Sequence, residues 1–210
     1  MIKAVIFDLD GVIVSTDELH YQSWKKIADD ENIYFDKIIN HKLRGVSRMD
    51  SLNIILGYAS KTYSEDEKIN LATNKNDIYV ELLKQLDQKD ILPNVVETLK
   101  GLKSKGIFIA IGSSSKNAKP ILRRIGLIDM FDVIADGNDI KHSKPAPDVF
   151  LVAAERLGVN PNSCMVVEDA MAGIKAAKNA KMIAVAVSEA KNSEIADYRL
   201  DNLKDLLLII

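Results

Sequence analysis

Five short runs of consecutive apolar residues constrain this chain more than any other feature: Ala4 to Phe7, Ile107 to Ile111, Val133 to Ala135, Met165 to Val167 and Ile183 to Val187. Runs this short without polar alternation read as strands buried on both faces, and such strands belong to parallel sheets covered by helices. Helical patterns lie between them. Phe150, Ala153, Ala154 and Leu157 repeat at i, i+3, i+4 and i+7 behind a Pro147-Asp148 start. The alternation predicts an α/β fold with a doubly wound, Rossmann-like parallel sheet.

The stretch from Ser15 to Leu86 breaks the alternation: it is rich in helix formers and charges and has no β-branched run. It predicts an inserted helical cap over residues 15–86, on a core made from residues 1–14 and 87–210. Ser15 and Glu18 fit a capping box that opens the first cap helix, with Trp24, Ile27 and Ala28 on one face. A cap inserted just after the first strand lies above the carboxyl end of the sheet, where α/β folds bind ligands.

Composition narrows the class. With 47% hydrophobic and 28% charged residues, the 210-residue chain matches an ordinary globular protein with a sizeable core. A formal net charge of −2 with well-mixed signs offers no footprint for a nucleic acid or an anionic membrane. The lone Cys164 makes no internal disulfide and reads as a small buried hydrophobe at the start of a strand. No charged-then-apolar leader precedes Ala4, and Leu206 to Ile210 is too short to span a bilayer. A cytoplasmic monomer acting on a small molecule is expected.

Four segments carry the chemistry. Asp8-Leu9-Asp10-Gly11 follows the first strand directly, and in an extended strand end side chains two apart point the same way. Two acids so placed repel unless a cation or a shared proton compensates; alone, the pair also fits a turn with two solvated acids. Ser113-Ser114-Ser115-Lys116-Asn117 follows the second strand and precedes a helix that Asn117 can cap, with Pro120 in its first turn. Hydroxyls and free N–H groups there make an anion cradle, whereas capping needs one serine rather than three. Lys144-Pro145-Ala146-Pro147-Asp148 sets a lysine in a stiff, proline-fixed loop. Glu168-Asp169 ends the fourth run ahead of a helix, where either acid by itself also suits the helix dipole.

All four segments fall at or just beyond the carboxyl ends of predicted strands and converge on one crevice. Together they supply carboxylates and backbone oxygen for a hard cation, hydroxyls and a lysine for phosphate, and a carboxylate nucleophile. That inventory suits phosphoryl transfer, in which positioning and charge neutralisation carry most of the catalysis.

In order and spacing, over nearly the whole chain, these segments resemble the four motifs of the haloacid dehalogenase superfamily. The resemblance implies that Asp8 is the nucleophile and forms an aspartyl-phosphate, that Asp10 is the general acid/base, and that Ser113 and Lys144 bind the transferring group. It also implies Mg²⁺ held by the Asp8 carboxylate, the Asp10 backbone carbonyl, Glu168 and Asp169.

Within the cap, Gly45-Val46-Ser47-Arg48-Met49-Asp50-Ser51, Lys75-Asn76-Asp77 and the step from His20 to Trp24 resemble the β-phosphoglucomutase family, as does Ser115-Lys116-Asn117 in the core. Ser15 departs from it, standing where an acid is usual. The resemblance implies interconversion of β-D-glucose 1-phosphate and D-glucose 6-phosphate, primed by the 1,6-bisphosphate. Arg48 would grip the distal phosphate. Gly45, Val46, Ser47, Ser51 and Lys75 would complete the pocket from the cap, and Ser114, Ser115 and Asn117 from the core. His20 would position the sugar or orient Asp10, while Trp24 fits core packing as well as ligand contact. A sugar-phosphate phosphatase with the same core and cap is the alternative enzyme; a degenerate phosphosugar-binding protein is the non-enzymatic one.

Overall fold

The computed structural model describes residues 1–44 and 46–210. Its centre is a six-stranded, wholly parallel sheet in the order β3-β2-β1-β4-β5-β6. The strands are β1 (Ala4–Phe7), β2 (Phe108–Gly112), β3 (Val133–Ala135), β4 (Cys164–Glu168), β5 (Ile183–Ala186) and β6 (Tyr198–Arg199). The chain order reverses between β1 and β4, and the crevice beyond the carboxyl ends of those two strands is where doubly wound sheets bind ligands.

Alternate residues along each strand feed two apolar layers. Val5, Phe7, Ile109, Ile111, Met165 and Val167 join one face with α5 (Val95–Ser104) and α6 (Ala118–Arg124). Ala4, Ile6, Ala110 and Val166 join the other with α7 (Asp148–Leu157) and α8 (Met171–Asn179). Burial on both faces explains why these strands read as unbroken apolar runs. β6 escapes that reading because it is an edge strand of two exposed residues.

Between β1 and α5 run α1 (Asp17–Asp30), α2 (Lys37–His41), α3 (Arg48–Leu56) and α4 (Glu65–Leu82). Trp24, Ile27, Phe35, Ile39, Leu52 and Ile55 form part of a separate buried cluster among these helices, while Tyr79, Leu83 and Leu86 belong to the cluster under the sheet. Among the described residues, no helix is long and apolar enough to cross a membrane.

Local capping differs from expectation at two points. The Ser15–Glu18 box does not form: α1 starts at Asp17 with Thr16 at its N-cap, and the Thr16 hydroxyl donates to Asp10 rather than capping. Asn117 sits at the N-cap of α6 but makes no side-chain cap, because its amide reaches across to Asn76 on α4. At both helix starts the capping side chain is engaged elsewhere, Thr16 by Asp10 six residues earlier and Asn117 by Asn76 on α4.

Candidate active site

The four chemistry-bearing segments line one cleft of about 960 Å³ at the carboxyl edge of the sheet, roofed by α1, α3 and α4. β1 ends at Phe7, so Asp8 and Asp10 do not lie along an extended strand. The chain turns instead, closed by Ile13 N–H to the Leu9 carbonyl at 2.9 Å and Gly11 N–H to the Val14 carbonyl at 2.8 Å. A tight turn, rather than the alternation of an extended strand, therefore delivers both acids to the cleft.

Two glycines make the crowding possible. Gly11 has φ +79°, and a Cβ there would fall 2.0 Å from Asp169 Oδ2. A Cβ on Gly173 would fall 1.8 Å from Glu168 Oε1. Any side chain at either position would push an acid out of its seat.

Asp8, Glu168 and Asp169 bring carboxylate oxygens within 4.8 Å of one another. Lys144 Nζ lies between two of them, donating to Asp8 Oδ1 at 2.6 Å and to Glu168 Oε1 at 2.5 Å, with its ammonium 4.8 Å from the Phe150 ring centre. Burial works against a charged Lys144, but Asp8 and Glu168 outweigh it and hold the ammonium protonated. One ammonium does not balance three carboxylates. Burial together with Asp8 and Glu168 pushes Asp169 up to about 8, and burial and the Asp8 charge raise Glu168 despite Lys144. An oxygen-only, negatively overcharged cluster suits a hard divalent cation such as Mg²⁺. The Asp10 side chain lies outside this cluster and accepts from Thr16; burial and the Asp8 charge raise its carboxyl to about 6, close to the range useful for proton transfer near neutrality.

Ser113 Oγ accepts from Ser115 N–H at 3.1 Å, and Ser115 Oγ accepts from Asn117 N–H at 3.2 Å, so the serine run is a stepped turn. Ser114 Oγ is buried and finds no partner among the described residues. Cys164 stands at the start of β4 among apolar neighbours, and burial pushes its thiol up to about 11.

On the roof, Lys75 is buried without a carboxylate at hydrogen-bond distance among the described residues. Its Nζ is 2.9 Å from His20 Nδ1 and lies over the rings of Trp24 and Tyr79, 5.0 and 4.4 Å from their centres. Burial and the nearby Arg48 lower it to about 7, while burial, Lys75 and Arg48 keep His20 neutral. Trp24 is both a packing residue of the helical cluster and a wall of this lysine site. Val46, Ser47 and Ser51 line the cleft, with Ser47 Oγ also capping α3 through Asp50 N–H at 3.1 Å. Gly45 lies outside the described residues. Arg48 Nη2 donates to Asn76 Oδ1 at 2.7 Å, and Asn117 Nδ2 donates to the same oxygen at 3.0 Å.

Sequence reasoning assigns no role to Thr16 or Tyr79, which border and line the cleft, and places Asn76 only within the Lys75-Asn76-Asp77 resemblance. Tyr79 follows Lys75 by four on α4 and stacks on His20 with centres 4.2 Å apart. The pairs Lys75–Tyr79 and His20–Trp24 share that spacing, which was the available signal. At the cleft rim, His41 and Arg44 reach Glu189 beyond β5 at 2.8 and 2.9 Å.

A family model for haloacid dehalogenase-like hydrolases matches residues 2–181. The chain is 45% identical to a β-phosphoglucomutase of Bacillus subtilis, an alignment covering 98% of this chain and 92% of that protein. It is 33% identical to a phosphorylated carbohydrates phosphatase of Thermotoga maritima, over 85% of this chain and 81% of that one. The crystal structure of a β-phosphoglucomutase from Clostridium difficile superimposes with a TM-score of 0.92 at 43% identity, covering 98% of this chain and 93% of that one.

Proposed function

The chain belongs to the haloacid dehalogenase-like hydrolase family, and we propose from that premise that it is a Mg²⁺-dependent β-phosphoglucomutase interconverting β-D-glucose 1-phosphate and D-glucose 6-phosphate. The observation that supports this reading is that one cleft holds two groups of donors: Ser113 and Lys144 beside Asp8, and Arg48 with Asn117 on the shared Asn76 oxygen. A bisphosphate that must turn round between half-reactions needs both ends, whereas a phosphatase needs only the first. The 45% identity to a β-phosphoglucomutase over almost the full chain supports the same choice.

In this mechanism Asp8 carries the phosphoryl group, with its oxygens held by Lys144 and the Ser113 turn. Phospho-Asp8 hands the group to the sugar 6-hydroxyl while Asp10 takes the hydroxyl proton. The bisphosphate then reverses, Asp8 takes the phosphoryl group from position 1, and Asp10 returns the proton to the departing oxygen. Arg48, Asn117, Ser115 and Lys75 hold the phosphate that is not reacting, and His20 keeps Lys75 aimed into the cleft. Bound among Asp8, Glu168, Asp169 and the Asp10 carbonyl, Mg²⁺ would neutralise charge on the phosphoryl oxygens. Helices α1, α3 and α4 act as a cap that excludes water from phospho-Asp8. The protein works as a cytoplasmic monomer on this reading.

Trapping the phosphoenzyme tests the proposal. Labelled bisphosphate should leave acid-stable, alkali-labile phosphate on Asp8 in the wild type and none in a folded Asp8→Asn variant. Label on another residue, or normal turnover by Asp8→Asn, would contradict it.

A further inference from the structure

Asn76 stands between the two phosphate-gripping donors of the cleft and belongs to neither. It lies on α4, next to Lys75. Its Oδ1 accepts from Arg48 Nη2 at 2.7 Å, a contact between cap helices, and from Asn117 Nδ2 at 3.0 Å, a contact across the cleft to the sheet side. The orientation of both amides follows from chemistry: a guanidinium only donates, so the Asn76 atom facing it is oxygen, and the Asn117 atom facing that oxygen is nitrogen.

A single oxygen that draws in a guanidinium from one side and an amide from the other makes the contacts a phosphate oxygen would make. Arg48 is partly buried, and a partly buried guanidinium without a partner is costly. Asn117 gives up its own helix cap to reach Asn76. Both facts indicate that the arrangement is selected for the cleft rather than for the elements that carry it.

We propose that Asn76 is a positioning residue that holds Arg48 and Asn117 on one shared acceptor, so that the distal phosphate of a sugar bisphosphate meets a preassembled site. This rests on the phosphomutase reading and adds a residue to it. Asn76 is neutral, so an arriving dianion displaces it from the two donors. A carboxylate there would compete with the dianion and repel it.

The test compares wild type, Asn76→Ala and Asn76→Asp as full-length proteins loaded with Mg²⁺, each checked for an unchanged melting temperature. For each, kcat/KM for consumption of glucose 1,6-bisphosphate is divided by kcat/KM for p-nitrophenyl phosphate, which engages only the Asp8 end. This ratio should fall about tenfold in Asn76→Ala, chiefly through KM, and further in Asn76→Asp. A ratio that stays within threefold of wild type in Asn76→Ala, or that returns to wild type in Asn76→Asp, overturns the proposal. Equal losses on both substrates also overturn it, since they mark a merely structural role. Bisphosphate consumption is read whatever the product, so failure of the mutase reading would appear separately, as inorganic phosphate without glucose 6-phosphate when the wild type is given β-glucose 1-phosphate.

Discussion

Replacing Lys144 by Met should leave the acidic centre of this protein, already negatively overcharged, without its one ammonium. The side chain is buried and packs beside Phe150, so Met keeps the stem contacts and removes only the ammonium. At 2.6 and 2.5 Å, the contacts to Asp8 and Glu168 each give roughly 6 kcal/mol of attraction at an effective dielectric near 20. Desolvation of the ammonium offsets most of that sum, leaving the roughly 3–5 kcal/mol that loss of one partner of a buried pair typically costs. At about 2–4 °C per kcal/mol for a chain of this size, the melting temperature should fall by about 6–20 °C in EDTA. A divalent cation offsets the same repulsion and should restore more stability in the variant than in the wild type, which itself gains about 2.7 kcal/mol at a hundredfold excess of ligand over Kd. Urea denaturation followed by circular dichroism, in EDTA and in saturating Mg²⁺, reads both effects. A loss under about 1 kcal/mol, the range of a solvent-screened pair, or a Mg²⁺ gain no larger in the variant than in the wild type, would refute the charge argument.

Substitutions at three other residues separate the roles assigned here. Asp10→Asn should lower mutase turnover by about 10²–10⁴, the usual span for a positioned acid/base, while Mg²⁺ affinity measured by calorimetry stays within a few-fold, because only the backbone carbonyl of Asp10 is assigned to the metal. Arg48→Ala should shift product partitioning from glucose 6-phosphate toward inorganic phosphate, and Arg48→Lys should rescue only part of it, since an ammonium lacks the planar fork; equal loss of both products would show a purely structural arginine. Lys75→Met should stabilise the unliganded protein at pH 7 by about 4 kcal/mol, taking the fall from 10.5 to about 7 at about 1.36 kcal/mol per unit. The sign follows from proton counting: between pH 7 and 10.5 the unfolded chain holds the Lys75 proton and the folded protein has released it, so the Lys75 contribution to wild-type stability rises with pH across that window. Denaturation of both proteins at pH 7 and 9 should therefore show the Lys75→Met advantage shrinking as pH rises; an advantage independent of pH would show that Lys75 carries no buried-charge penalty.

The sheet was legible in the sequence because its strands are buried on both faces, which writes them as unbroken apolar runs, and the edge strand Tyr198–Arg199 was not, because it buries nothing. Asp8, Asp10, Ser113, Glu168 and Asp169 were legible because each sits where a strand runs out, and Lys144 because prolines frame it in the loop before α7; topology brings them together. What the sequence hid are side-chain contacts that the fold makes in place of local caps. Thr16 and Asn117 both have the chemistry of local caps, and only the fold reveals that their side chains reach Asp10 and Asn76 instead. The aromatic seat of Lys75 joins α1 to α4: His20 and Trp24 read as candidates facing the sugar, but their contacts with Lys75, and that of Tyr79, emerge only when the helices are set side by side.

The central claim is that one cleft with two phosphate-binding ends passes a phosphoryl group between sugar positions through Asp8. The most direct measurement supplies β- or α-glucose 1-phosphate with Mg²⁺ and a trace of glucose 1,6-bisphosphate, and follows glucose 6-phosphate by a coupled dehydrogenase alongside inorganic phosphate. The account predicts glucose 6-phosphate from the β anomer in large excess over phosphate, and little from the α anomer. Release of inorganic phosphate without glucose 6-phosphate from either anomer would contradict it and identify a phosphatase.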